Sequence, residues 1–150
     1  VIEESSRAAL DEVRGVLRTA RTDLPPISPQ LTDLDDLVAA DWPGDLRIQL
    51  TDNTCHADLD RRLQTTIYRV VQEALTNVVR HADAGMAVVT IARVNDSMVV
   101  RVVDDGNGAA SETRPGLGLT GMRERVVAHG GTLSVGNVAD GYQVEAVIPL

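Results

Sequence analysis

The 150 residues carry 22 acidic against 14 basic side chains, a formal net charge of -8, with 43% hydrophobic residues. That length and apolar share suit one compact domain with a short appendage and leave little room for two globular units. The acidic balance and the absence of any Lys/Arg run exclude a direct nucleic-acid binder, which needs a concentrated positive face.

No Phe, one Trp and two Tyr imply a core of Val, Leu, Ile, Ala and Met, without the stacking platforms that single-stranded bases need. Cys55 is the only cysteine. It cannot pair internally, and no Cys/His spacing points to structural zinc, so a reducing, cytoplasmic setting is expected. No segment approaches the roughly 20 apolar residues of a membrane span, and Val1-Ile2-Glu3-Glu4 is unlike a signal peptide. No membrane contact by this stretch is expected, although a parent protein anchored in a membrane stays open.

Residues 1 to about 21 place Leu10, Val13, Leu17 and Ala20 three or four apart, with Arg7, Asp11, Glu12, Arg14 and Arg18 between them. This is the pattern of an amphipathic helix with a coiled-coil-like seam. Two readings fit: a dimerisation stem, or a helix folded onto its own domain. Pro25, Pro26, Pro29 and Pro43 then flank a short apolar-periodic stretch, Leu31, Leu34, Leu37 and Val38, which marks a hinge into the globular part.

Leu46 to Leu50 predicts an edge strand, and Asp58 an N-cap for a long helix to about Arg80. Leu63, Ile67, Val70, Val71, Ala74, Leu75 and Val78 form its apolar stripe. Met86 to Val94 and Met98 to Asp104 predict two strands joined by a turn at Asn95-Asp96-Ser97. The second puts Met98, Val100, Val102 and Asp104 on one face, so an acid ends a row that otherwise reads as core.

A glycine-rich stretch, Gly106 to Gly121, precedes a helix expected from about Thr120 and closed by His129-Gly130-Gly131. Thr132 to Val135 and Tyr142 to Ile148 predict two last strands around a turn at Asn137 to Gly141. The order of elements implies a mainly antiparallel sheet with helices on one face.

Three groups carry candidate chemistry. Glu73, Asn77 and His81 lie four apart on one line of the long helix, with Arg80 beside them, at the edge of the apolar stripe. A carboxylate and an amide oxygen one turn apart suit Mg²⁺, which takes few protein ligands; a solvated helix edge is the plain alternative. Asp104-Asp105-Gly106-Asn107-Gly108 follows a strand, where Asp104 is placed to accept from an exocyclic amine. Such a charge-assisted bond is worth roughly 1.5–3 kcal/mol, enough to select adenine over a base presenting an acceptor; a β-turn with an exposed acid is the plain alternative. Gly116-Leu117-Gly118-Leu119 before a helix lets backbone amides approach phosphate, though by itself it also fits a flexible loop. The weight comes from all three falling within about 50 residues.

Glu73-Ala74-Leu75-Thr76-Asn77-Val78-Val79-Arg80-His81-Ala82 resembles the N box of the histidine-kinase branch of the ATPase superfamily shared with DNA gyrase, MutL and heat-shock chaperones. Asp104 to Gly108 is similar to its first glycine box, and Gly116-Leu117-Gly118-Leu119-Thr120-Gly121-Met122-Arg123-Glu124-Arg125 to its second. The Gly-Met-Arg-Glu-Arg ending and the short lid between Ala109 and Pro115 resemble kinases paired with nitrate-response-type regulators. The resemblance is strong over Leu59 to Leu150 and looser over residues 1 to 22.

The resemblance implies an α+β fold, a two-layer α/β sandwich of the Bergerat type with a mixed, mainly antiparallel sheet. It divides the chain into part of a dimerisation domain at 1–22, a linker and short helix at 23–45, and an ATP-binding catalytic domain at 46–150. It implies that Asp104 reads the adenine amine, Asn77 holds Mg²⁺, Glu73 supports phosphoryl transfer, and Arg80 and His81 face the phosphates. Gly106, Gly108, Gly116, Leu117, Gly118, Leu119 and Gly121 complete the implied nucleotide site. The implied partners are ATP, a response regulator, and a second copy joined through the N-terminal helices. The acceptor histidine is expected outside these residues, because His56, His81 and His129 do not occupy its place. A regulatory ATP-binding module like the anti-sigma switch kinases is the alternative. Two departures stand out: Arg80 where Lys is usual, which keeps charge but changes donor geometry, and Tyr142 where Thr is common.

Overall fold

A computed structural model describes residues 28–81, 83–106 and 117–150. The expected helix at residues 1–22 and most of the glycine-rich stretch, residues 107–116, lie outside the described residues.

The short apolar stretch forms a 3₁₀ turn, Leu31–Asp33, continuing into helix α1, Leu34–Ala39. Strand β1 is Arg47–Asp52, helix α2 is Arg61–His81, and strands β2 and β3 are Met86–Val94 and Ser97–Asp104. Helix α3, Leu117–Ala128, leads to β4, Thr132–Val138, and β5, Gly141–Pro149. One five-stranded sheet runs in the order β1-β2-β3-β5-β4, with β1 at the edge. Only β1 and β2 pair in parallel; the other three pairings are antiparallel. The crossover between the parallel strands is α2 itself, as a parallel pair requires. The mixed, mainly antiparallel sheet expected from the sequence is therefore present.

The period-2 strands and the 3.6-period helix bury the faces their patterns predict. Ala87, Val89 and Ile91 of β2, Met98, Val100 and Val102 of β3, and Val144, Ala146 and Ile148 of β5 face the helices. Against them lie Ile67, Val70, Val71, Ala74 and Leu75 of α2 with Met122 and Val126 of α3. Each fully buried aliphatic side chain contributes roughly 1.5–3 kcal/mol. The core is thus built mainly from Val, Leu, Ile, Ala and Met, without Phe.

Three boundaries differ from expectation. Asp58 is not the cap of α2: it ends a 3₁₀ turn, His56–Asp58, and Leu59 is extended so that its side chain can enter the core. Asp60 takes the capping role, its Oδ1 accepting from the Arg62 amide at 2.9 Å. Helix α3 begins at Leu117 rather than near Thr120, so Gly118 and Gly121 are helical. Strand β4 runs on to Val138, which confines the β4–β5 turn to Ala139-Asp140.

The segment before β1 is docked on α2. Leu31 and Leu34 are buried in the common core. The buried Gln64 side chain donates to the His56 and Leu59 carbonyls at 3.0 and 3.1 Å and accepts from the Leu31 amide at 3.3 Å. One amide thereby ties together three backbone groups from both sides of β1.

Candidate functional site

Asp104 is the last residue of β3 and lies on the covered face, 4% exposed, where the alternation of that strand puts it. Its Oδ1 accepts from the Gly106 amide at 2.9 Å. Burial, the dominant cause, raises its carboxyl pKa above the ordinary value. The Gly106 amide opposes this, the neighbouring Asp105 adds to it, and the Tyr142 amide opposes it. Among the described residues no cation pairs with it. A buried carboxylate with no counter-ion is costly.

Backbone contacts fix that position. Gly141 opens β5 directly against the Asp104 carbonyl: a Cβ at Gly141 would come 2.7 Å from the Asp104 carbonyl carbon and 3.3 Å from the Asp105 Cα. Only glycine fits there. Asp105 points outward, and its Oδ1 accepts from the Gly85 and Met86 amides, each at 2.9 Å, pinning the start of β2 to the end of β3. Those amides draw the Asp105 carboxyl below its ordinary pKa. Neither Gly141 nor Asp105 was expected from the sequence to seat Asp104. An Asp-Gly turn one strand away from a second Gly-led strand was the available signal.

Glu73 and Asn77 are half-buried one turn apart on α2, and Arg80 is exposed near its end. His81 is the last residue of the helix. Among the described residues, neither the Glu73 carboxyl nor the Asn77 amide is engaged in a hydrogen bond or ion pair. The first turn of α3 packs onto this row: a Cβ on Gly118 would come 3.0 Å from Glu73 Cδ. Leu119 and Gly121 are half-buried in the same helix. Gly106 follows Asp104, whereas Gly108 and Gly116 lie outside the described residues.

Helix α3 meets the Glu73 row directly and carries, in Arg123, a charge that acts toward the Asp104 end. Gly118 meets Glu73, and the Arg123 guanidinium acts on the Tyr142 phenol beside Asp104. Arg123 lies about one and a half turns beyond Gly118, roughly 7.5 Å along the axis at about 1.5 Å per residue. Asp104 and the Glu73–Asn77 row both lie on the helix-covered side of the sheet, the row against the glycine-bearing start of α3.

Comparison with known proteins places this arrangement. Residues 62–150 match the family described as histidine kinase-, DNA gyrase B-, and HSP90-like ATPase. The sensor histidine kinase YxjM of Bacillus subtilis is 45% identical over 86 residues, 57% of this chain and 21% of that protein. The sensor histidine kinase YvfT of the same organism is 32% identical over 149 residues, 99% of this chain and 38% of that protein. The chain thus spans well under half the length of these relatives. They are sensor histidine kinases rather than anti-sigma switch kinases. The blue-light activated histidine kinase EL346 of Erythrobacter litoralis shares the fold, with a TM-score of 0.62, 23% identity, and coverage of 80% of this chain and 42% of that one. With the family match extending from the start of α2 to the last residue, the chain belongs to the histidine kinase-, DNA gyrase B- and HSP90-like ATPases.

Proposed function

We propose that these residues act as the ATP-binding catalytic domain of a sensor histidine kinase, passing the ATP γ-phosphate to a histidine outside them for relay to a response regulator. The observation that carries the reading is Asp104, a nearly inaccessible carboxylate at the end of an apolar row, with no cation paired to it among the described residues. Its acceptor oxygens suit the exocyclic amine of adenine, which guanine replaces with an acceptor.

Asn77 would hold Mg²⁺ through its amide oxygen, with phosphate oxygens and water supplying the remaining ligands. The metal, when bound, neutralises charge on the phosphates. Glu73, held next to Gly118, orients the receiving nucleophile, and Arg80 and His81 supply positive or donor groups to the phosphates. Phosphoryl transfer depends mainly on positioning and charge neutralisation. Gly108 and Gly116 complete the lid in this reading.

The acceptor is assigned elsewhere because His56 lies in the turn before α2, His81 ends α2 and His129 follows α3, none of them on the N-terminal helices where the family resemblance puts it. Residues 1–22 belong to the dimerisation stem, 23–45 to the linker and short helix, and 46–150 to the catalytic domain, in a cytoplasmic position. No helix among the described residues is long and apolar enough to cross a membrane.

Titration of the chain with ATP and GTP, with and without Mg²⁺, tests the reading. Saturable, Mg²⁺-strengthened binding that prefers ATP is expected. Asp104→Asn should weaken it about 10- to 150-fold, the equivalent of roughly 1.5–3 kcal/mol. Equal binding of GTP, or no binding by folded protein, overturns the reading.

A further inference from the structure

Tyr142 occupies the base end of the site without a role in the account above. Register pairs place Ile48, Ala87, Asp104, Tyr142 and Asn137 on one line across all five strands. Directly opposed residues share a face, with Cβ atoms roughly 4.5–5.5 Å apart, so the Tyr142 side chain stands beside Asp104 on the covered side. It is half-buried and packs against the core. Among the described residues its hydroxyl has no hydrogen-bond partner.

Burial and the Asp104 carboxylate push the phenol above its ordinary pKa, against a smaller opposing pull from Arg123. The hydroxyl is therefore protonated at neutral pH and available as a donor. An acceptor, Asp104, and a donor, Tyr142, are consequently carried on paired positions of one face. Adenine presents the complementary pair on its edge: the amine donates, and the adjacent ring nitrogen N1 accepts. Guanine presents the reverse, an oxygen that accepts beside an N–H that donates.

We propose that Tyr142 is a specificity-determining residue of the base pocket, its hydroxyl donating to N1 of the adenine whose amine Asp104 accepts. The inference rests on the ATP-site reading. It adds to that reading a second polar contact, from a side chain long enough to wall the pocket with its ring and reach the base edge without an intervening water.

The test is a cycle of two ligands and two proteins, all with the full chain. ATP and 1-deaza-ATP, which carries C–H in place of N1, are titrated by calorimetry into wild type and Tyr142→Phe, with Asp104→Asn as the site control. Wild type is expected to bind ATP about tenfold more tightly than 1-deaza-ATP, as for loss of one hydrogen bond. Tyr142→Phe, which keeps the ring, should bind ATP only as well as 1-deaza-ATP. A phenylalanine variant that retains the wild-type ratio overturns the contact, and so does a wild type that binds both ligands equally. Because the second comparison uses unaltered protein, misfolding of a variant cannot obscure it. If wild type binds no ATP, or Asp104→Asn binds undiminished, the nucleotide-site assignment itself fails and takes this inference with it.

Discussion

The α-carbon of Gly118 faces the carboxyl end of Glu73, so closely that an added methyl would lie 3.0 Å from Cδ and 3.3 Å from Cγ. The obstructed atoms belong to the far end of a flexible side chain. Relief is therefore available to the fold, though at the expense of where Glu73 points.

Gly118→Ala should accordingly separate stability from activity. Replacing a helical glycine by alanine favours the helix by up to about 1 kcal/mol, so thermal unfolding should be unchanged or shifted slightly upward. With Glu73 displaced, phosphate transfer to an acceptor helical domain supplied in trans should fall on the order of 10- to 100-fold, with ATP affinity changing far less. Wild-type turnover in this variant would leave Glu73 without a positional role.

Gly141→Ala should behave in the opposite way. The added Cβ meets the Asp104 backbone, 2.7 Å from its carbonyl carbon, and no rotamer change relieves that. Overpacking against main chain costs roughly 1–3 kcal/mol, and the displaced end of β3 carries Asp104 with it. Both the unfolding midpoint in urea and the ATP affinity should drop together. A variant as stable as wild type would contradict the close approach of β5 to β3.

Asp104 and Asp105 should give opposite pH signatures. Burial raises the folded pKa of Asp104 above its ordinary 3.8, so the folded state binds that proton more tightly than the unfolded chain does. Its ionisation then costs stability, and the cost sets in as pH rises from the ordinary value through the raised one. Asp104→Asn should gain on wild type across that window and keep the gain above it. Amide bonds lower Asp105, so its contribution is present above 3.8 and is lost as pH falls through the lowered value. Asp105→Asn should therefore lose stability at neutral pH relative to wild type. Denaturant curves over a pH series would show both, and ATP affinity should decline as pH falls through the raised Asp104 pKa.

The strands were legible because alternation survives on both faces of an antiparallel sheet: Met98, Val100, Val102 and Asp104 share a face as their spacing required. The long helix was equally plain from its stripe. Its start was not, because Asp58 and Asp60 are both good caps, and the choice is made by Leu59, whose burial forces an extended residue between them. The start of α3 was misread for a related reason. Glycines at 118 and 121 signal a loop by propensity, whereas in the fold the small residue at 118 is there to admit Glu73. Asp104 was found because an acid in an apolar row is conspicuous. Its seat on Gly141 was hidden by the distance between them in the chain, the two being brought together only through strand pairing.

A side-chain bond joins the two helices near the start of α2. The Thr66 hydroxyl and His129 Nε2 lie 2.8 Å apart, linking α2 to the residue just past α3. Thr66→Val should lower stability by about 1 kcal/mol, read by urea unfolding, with ATP affinity unchanged. A loss of affinity would show that this contact positions α3 for the nucleotide.

Trp42 gives the protein an optical probe of one junction. It is the sole tryptophan, its indole N–H donates to the Leu37 carbonyl at 2.9 Å, and its ring packs against the core beside α1. Its fluorescence therefore reports whether the segment entering the domain is seated, independently of the absorbance of the nucleotide. A shift of its emission on adding ATP would reveal that the junction and the Asp104 end of the sheet move together.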